Sequence, residues 1–285
     1  MIFFDFYQNL QLYINPIAFQ IGSFFIGWYS LMYLLAFLVI YLLLRWRIKK
    51  DSIELKFSIE KLESFMLYAI FGAIIGGRIG YVIFYNPGYF LSHPLEIISP
   101  IDAERNFVGI YGMSYHGGLL GVIFSTFIFV WKNKLNFWKL ADLVIPTISA
   151  GYFFGRIGNF LNGELYGKLT QSQWGVYFYN PMALAWELRI PSQLIEAIFE
   201  GLILFFVLWS LRNRIWMKGK FLEAYLFGYG IFRFGIEFIR EPDHQIGYVA
   251  KIGEISLTLG QIYSLIMIVL AITIYLYKNL SKRKK

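Results

Sequence analysis

Seven apolar runs, each about 19 to 22 residues long, divide this 285-residue chain and constrain its fold more than any other feature. They are Phe24–Leu44, Ser64–Tyr85, Met113–Trp131, Ala141–Leu161, Ser192–Leu211, Phe221–Ile239 and Ser256–Tyr277. Wound as a helix at about 1.5 Å per residue, a run of this length matches the roughly 30 Å hydrocarbon core of a bilayer. With 58% hydrophobic and only 15% charged residues, the chain is too apolar for an ordinary soluble domain. The predicted class is an all-α polytopic membrane protein. It has about seven transmembrane helices and forms a single integral-membrane domain over residues 1–285.

The net charge of +8 would ordinarily raise nucleic acid as a partner. Here the basic residues flank the apolar runs, so they report topology and nucleic acid is set aside. Eighteen of the 26 fall on one side. These are Arg45, Arg47, Lys49, Lys50, Lys56 and Lys61; Lys132, Lys134 and Lys139; Arg212, Arg214, Lys218 and Lys220; then Lys278, Lys282, Arg283, Lys284 and Lys285. The other side holds Arg105, Lys168, Arg189, Arg240 and Lys251. This asymmetry puts the N-terminus outside and the C-terminus in the cytoplasm. The first twenty residues carry Asp5 and no Lys or Arg, unlike a cleavable signal peptide. That aromatic-rich stretch is expected to rest on the membrane surface. Two outer segments, about 86–112 with three prolines and 162–191 with Trp174, Tyr177, Phe178, Tyr179 and Trp186, are expected to form a small extracytoplasmic head. The chain has no cysteine, hence no disulfide, no thiolate-bound metal and no thiol nucleophile of its own.

Three basic residues remain, and they lie inside the runs: Arg78, Arg156 and Arg233. An arginine in hydrocarbon costs roughly 2.5–3.5 kcal/mol on insertion scales, which makes each a functional candidate. Arg156 opens the turn-rich stretch Gly155–Gly167, G-R-I-G-N-F-L-N-G-E-L-Y-G, with Asn159, Asn162, Glu164, Tyr166 and four glycines. Glycine permits close backbone approach to a ligand and N–H groups aimed at an anion. At about 1.5 Å per residue from the inner ends, Arg156, Arg78 and Arg233 sit roughly 22, 21 and 18 Å up their helices. Tyr29 and His116 lie near the outer starts of theirs, so five polar groups converge on the outer half of the bilayer. The residues alone describe an anion site within a membrane.

Blander readings stand beside these. Tyr229, Arg233 and Glu237 share a helix face at spacing i, i+4, i+8, and Arg233 with Glu237 can be a self-neutralising pair. Arg78 can equally serve as a structural partner of a carboxylate. His116 is either a hydrogen-bonded structural histidine or a general base titrating near neutrality. Ser114 and His116 point apart on a helix, which argues against a serine mechanism. Gly72, Gly76 and Gly151 read as helix packing. Glu196 and Glu200 share a face of the fifth run, where Glu196 can hold one of the arginines. The G-R-I-G of Gly77–Gly80 echoes that of Gly155–Gly158, too briefly to establish a duplication.

These residues resemble a known family. Gly155–Gly167 is similar at every fixed position to the signature G-R-x-G-N-F-x-N-x-E-x-x-G of the bacterial prolipoprotein diacylglyceryl transferases. The resemblance extends to W-Y-S-L-M-Y (Trp28–Tyr33), G-G-R-I-G-Y (Gly76–Tyr81), H-G-G-L (His116–Leu119), P-S-Q-L (Pro191–Leu194), and G-Y-G-x-F-R with E-F-x-R-x-P-D (Gly228–Asp243). It covers nearly the whole chain in order; the segment between Gly167 and Pro191 is short for the family. The resemblance implies transfer of the diacylglyceryl group of phosphatidylglycerol to the lipobox cysteine of a prolipoprotein, giving a thioether and glycerol phosphate. It implies a bacterial cytoplasmic (inner) membrane location. The implied partners are phosphatidylglycerol, the prolipoprotein signal peptide and membrane lipids, with no metal and no organic cofactor. By resemblance the catalytic residues are His116, Arg156 and Arg233, the arginines clamping phosphate. His116, or Arg233 through its charge, would favour the reactive thiolate. Tyr29, Arg78, Asn159, Asn162, Glu164, Gly167, Tyr229, Glu237 and Arg240 are the implied substrate-binding set. The alternative from another class is a non-catalytic lipid or anion transporter with discontinuous Gly-rich helices. A metal-dependent phosphotransferase is weaker, because the runs lack paired aspartates.

Overall fold

A computed structural model describes residues 2–22, 24–51, 57–99, 112–242, 247–253 and 255–283. In chain order, α1 (Ile2–Gln8) and α2 (Leu10–Tyr13) precede a hairpin of β1 (Ile17–Ile21) and β2 (Phe24–Gly27). Then come α3 (Trp28–Lys50), α4 (Ile59–Phe84), α5 (Pro87–Ser92), α6 (Tyr115–Lys132) and α7 (Phe137–Leu161). A second hairpin, β3 (Val176–Asn180) and β4 (Ala185–Arg189), leads into α8 (Ser192–Glu196), a π-helical stretch (Ala197–Ile203) and α9 (Leu204–Leu211). The chain ends with α10 (Phe221–Ile236), the hairpin β5 (Tyr248–Ile252) and β6 (Ile255–Thr258), and α11 (Leu259–Arg283). Each hairpin is a separate two-stranded antiparallel sheet.

Among the described residues, four helices are long and apolar enough to cross a membrane: Trp28–Lys50, Ile59–Phe84, Ser192–Leu211 and Leu259–Ser281. Helices also occupy the other three runs, as α6, α7 and α10. Helix ends differ from expectation where the chain turns to strand. Phe24–Gly27 and Ser256–Thr258, read as the starts of the first and last helices, are strands β2 and β6. Short runs of aromatic and β-branched residues fit either element, and periodicity does not separate them. The sixth helix stops at Ile236, and the first continues through Arg45, Arg47, Lys49 and Lys50.

The described chain forms two compact units, one of residues 1–52 and 141–285, the other of residues 53–140. In the second unit α4 and α6 pack through small residues. A Cβ added at Gly80 would lie 2.7 Å from Gly117 Cα, and one at Gly76 would lie 2.7 Å from Gly121 Cα. The packing reading of Gly72 and Gly76 therefore holds. Ser58 and Ser114 cap the two helices, accepting from the main-chain N–H of Lys61 and Gly117 at 3.3 and 3.2 Å. Capping employs the Ser114 hydroxyl. Part of the predicted head, residues 100–111 with Arg105, lies outside the described residues, as does Asp243 of the last motif.

Among its described residues the first unit has two apolar clusters. Ala141 and Ile145 of α7 meet Leu204 and Leu208 of α9, Met217, and Phe221 of α10. At the other end Phe160, Val176 and Phe178 are covered by Tyr7, Leu10 and Ile14 of the N-terminal stretch. That stretch is tied down: Gln11 is buried and donates to Phe160 O at 2.5 Å, and the Tyr7 hydroxyl donates to Trp174 O at 3.1 Å. Near the far end of α3 the buried Arg47 donates to Asp51 at 2.9 Å and to the Asp142 and Leu143 carbonyls at 2.7 and 2.6 Å. This locks α3 onto α7.

Candidate active site

In the first unit, Arg156 of α7 and Arg233 of α10 converge on one atom. Arg156 Nε lies 2.8 Å and Arg233 Nη1 2.9 Å from Glu196 Oε2 at the end of α8. Glu196 is fully buried, and the arginine side chains are 14% and 10% exposed. Sharing a carboxylate oxygen offsets the desolvation of both cations and holds the two guanidinium groups side by side. Arg156 Nε also donates to the Tyr152 hydroxyl at 2.6 Å, and that hydroxyl donates in turn to the buried Glu200. Tyr229 reaches the same hydroxyl at 3.4 Å. Glu196 and Glu200 frame the entry to the π-helical stretch, an irregularity often found where a helix serves a site.

Each arginine has further support. Arg156 Nη1 donates to Asn159 Oδ1 at 3.2 Å, and Asn159 Nδ2 donates to Glu164 Oε1 at 2.9 Å. Arg233 Nη2 pairs with Glu237 Oε2 at 2.8 Å, and Glu237 Oε1 accepts from Thr258 at 3.1 Å. Arg240 Nη1 lies 3.9 Å from the same Glu237 Oε2. Tyr29 stands within electrostatic reach of Arg156 and Glu164, and its hydroxyl donates to Tyr33 at 3.1 Å. Gly158 makes room for that approach, since a Cβ there would meet Met32 Cβ at 3.1 Å and Tyr29 Cα at 3.5 Å.

The turn after α7 is held by the segment that follows β4. Gln193 donates to Glu164 O at 2.6 Å and Ser192 to Leu165 O at 3.1 Å. Gly167 N donates to Ile190 O at 2.8 Å, and Gly167 forms an antiparallel bridge with Arg240. Arg189 ties the hairpin to this strand. It donates to Gly167 O at 3.2 Å and Glu241 at 3.1 Å, pairs with Glu187 at 2.6 Å, and stacks over Tyr166 at 4.8 Å. Hydrogen bonds from Asn180 and Arg189 hold the Glu187 carboxyl below the usual carboxylate range.

The twelve predicted site residues thus divide by unit. Arg156, Arg233, Asn159, Glu164, Tyr229, Glu237, Arg240, Gly167 and Tyr29 all belong to the first unit's network. Asn162, exposed at the end of α7, is in the same unit. Arg78 and His116 belong to the second. Arg78 gives its guanidinium to main-chain carbonyls, Ile97 at 2.7 Å and Glu96 at 2.5 Å, and lies over Phe90 at 4.9 Å. These partners are main-chain carbonyls, where the structural reading had named a carboxylate. His116 is exposed in the first turn of α6, edge-on to Tyr115. The predicted set lacks Tyr152, Glu196 and Glu200. The available signals were buried-span carboxylates and a tyrosine one turn before Arg156.

Comparison with known proteins identifies the family. The family model described as prolipoprotein diacylglyceryl transferase matches residues 16–277. The chain is 42% identical over 280 residues to the phosphatidylglycerol–prolipoprotein diacylglyceryl transferase of Chlorobaculum tepidum, covering 97% of this chain and 94% of that one. It is 42% identical to the protein of that name from Campylobacter hominis (98% and 97% covered), and 44% identical to that of Rickettsia bellii (91% and 93%).

Proposed function

Because the chain belongs to the prolipoprotein diacylglyceryl transferase family, we propose that it moves the diacylglyceryl group of phosphatidylglycerol onto the lipobox cysteine thiol of a prolipoprotein. The products are a thioether and glycerol phosphate. One observation carries the reading: guanidinium groups from α7 and α10 meet at a single carboxylate oxygen, so both can reach one phosphodiester. In the reaction the thiolate sulfur attacks the glyceryl carbon as the carbon–oxygen bond to phosphate breaks. Negative charge grows on the phosphate oxygens, and Arg156 and Arg233 stabilise it there. Tyr29, Asn159, Asn162, Glu164, Gly167, Tyr229, Glu237 and Arg240 shape the lipid-head site, Arg78 holds the Glu96 and Ile97 carbonyls of its own unit, and His116 takes the thiol proton. The protein needs no cysteine, because the nucleophile arrives with the substrate. No metal or organic cofactor takes part.

In this reading α6, α7 and α10 cross the membrane together with the four apolar helices named above, making seven spans in one domain. The basic-residue asymmetry supports an outside N-terminus, a cytoplasmic C-terminus and a site in the outer leaflet of the bacterial cytoplasmic membrane. The segments 86–112 and 162–191 supply the outer head.

The test uses membranes bearing Arg156→Ala or Arg233→Ala, labelled phosphatidylglycerol and a lipobox peptide analysed by mass spectrometry. Each variant is expected to lose about 10²–10³-fold in rate, the usual cost of removing one preorganised charge donor. Undiminished transfer refutes the clamp, and lipid movement with no peptide adduct refutes the transferase. His116→Ala slows transfer most at neutral pH and least above about pH 8.5, where the peptide thiol ionises unaided. A constant deficit across that range removes His116 as the proton acceptor.

A further inference from the structure

Within the site, the arginines already have carboxylate partners. Glu196 pairs with Arg156 and Arg233, Glu237 pairs with Arg233 and lies 3.9 Å from Arg240, and Glu196 occupies the point where the first two arginines meet. Its second oxygen, Oε1, is buried and accepts no hydrogen bond from the described residues. An entering phosphate must therefore compete with a carboxylate already in place.

The competition bears differently on substrate and product. Phosphatidylglycerol carries a phosphodiester with one negative charge. When sulfur bonds to the glyceryl carbon, the electron pair of the broken carbon–oxygen bond stays on the phosphate. Glycerol phosphate, a monoester, then carries about −1.5 to −2 at pH 7. Without Glu196 between them, the two arginines would bind this dianion more tightly than the lipid and be slow to release it. Resting on the phosphate reading above, we propose that Glu196 is a positioning residue that reclaims Arg156 and Arg233 as the product forms. It thereby sets the site to favour the monoanionic diester over the dianionic monoester and limits product inhibition.

The experiment measures inhibition of peptide modification by purified full-length protein with two soluble headgroup analogues. Glycerol phosphate is the dianion; glycerophosphoglycerol, a phosphodiester, is the monoanion. In the wild type the two are expected to inhibit within about threefold of each other. In Glu196→Gln glycerol phosphate is expected to strengthen by at least about tenfold, within the usual range for coupled sites, with glycerophosphoglycerol changing far less. Steady-state turnover should also fall more than the first turnover. Glu196→Asp, too short to touch both arginines, shifts the ratio in the same direction by less and serves where the Gln variant does not fold. The inference is overturned if glycerol phosphate is already the stronger inhibitor of the wild type by about tenfold or more. An unchanged ratio in both variants overturns it too. If neither analogue competes with the lipid in the wild type, the phosphate site itself is wrong, and the two failures are told apart.

Discussion

Gly167 offers a sharp test of how the signature segment is held. A Cβ built there would lie 2.6 Å from Ile239 O, 2.8 Å from Ile190 O and 3.0 Å from Ile190 Cβ. Ordinary contact begins at 3.4 Å, so Gly167→Ala falls short by about 0.8 and 0.6 Å against two main-chain carbonyls. Neither is the end of a flexible side chain. Both belong to the ladder in which Gly167 N donates to Ile190 O at 2.8 Å and Lys168 N to Ile239 O at 2.9 Å. Overpacking of this kind costs about 1–3 kcal/mol. Weakening the two hydrogen bonds adds about 1 kcal/mol each. The expected destabilisation is thus about 3–5 kcal/mol, read as a lower melting temperature of the purified protein. Because the displaced strand carries Arg240, three residues from Glu237, activity in the surviving folded fraction should fall about 10²-fold, the cost of roughly 1 Å of misplacement. Gly155→Ala in the same signature is the control. Nothing lies within 4 Å of its Cβ, and alanine in a helix interior gains up to about 1 kcal/mol over glycine. A Gly167→Ala protein as stable and active as the wild type, or a Gly155→Ala protein destabilised as badly, would refute the close-approach argument.

Other outcomes follow from the same geometry. Arg47→Ala leaves the Asp142 and Leu143 carbonyls without its donor, while Asp51 keeps Arg212 at 3.4 Å and Asn213 at 3.3 Å, and is expected to cost about 1–3 kcal/mol in thermal unfolding. Gly76→Val drives a branched side chain into Gly121 and Gly117, where the nearest atoms are backbone, and should destabilise the α4–α6 pair by about 1–3 kcal/mol in thermal unfolding. Glu187 has its folded pKa depressed, so its contribution is fully present above the unfolded value of about 4.3 and is lost as pH falls through the folded value. Trp186 fluorescence should accordingly be flat from pH 6 to 8 and report loosening of the β3–β4 hairpin only in acid. Glu187→Gln should flatten the acid limb, and an unaltered limb assigns it to another group.

How much of this was legible in the chain depended on distance along it. The Arg233–Glu237 pair lies at i, i+4 on one helix and was readable, and the cost of charge in hydrocarbon singled out Arg156 and Arg233 as members of one site. The switch from strand to helix at Gly27 and Thr258 was not readable, because the same apolar residues serve both. Nor was the β3–β4 hairpin, whose aromatic residues fit an interfacial belt equally well. The cross-helix role of Glu196 needed a register that no spacing rule supplies, yet charge balance came close to giving it. Arg156 has tyrosine, phenylalanine and asparagine, but no carboxylate, at three and four residues on either side, so its counterion must come from another helix. With Glu237 taken by Arg233, the fifth run, which holds Glu196 and Glu200, is the remaining source in the outer half. Arg78 marks the limit of that logic. It carries the same G-R-I-G context and also has no carboxylate at three or four residues on either side, yet it gives its guanidinium to main-chain carbonyls of its own unit. The repeated tetrapeptide therefore identifies a buried arginine without specifying its partner. The function of each copy rests on what the neighbouring elements bring to it.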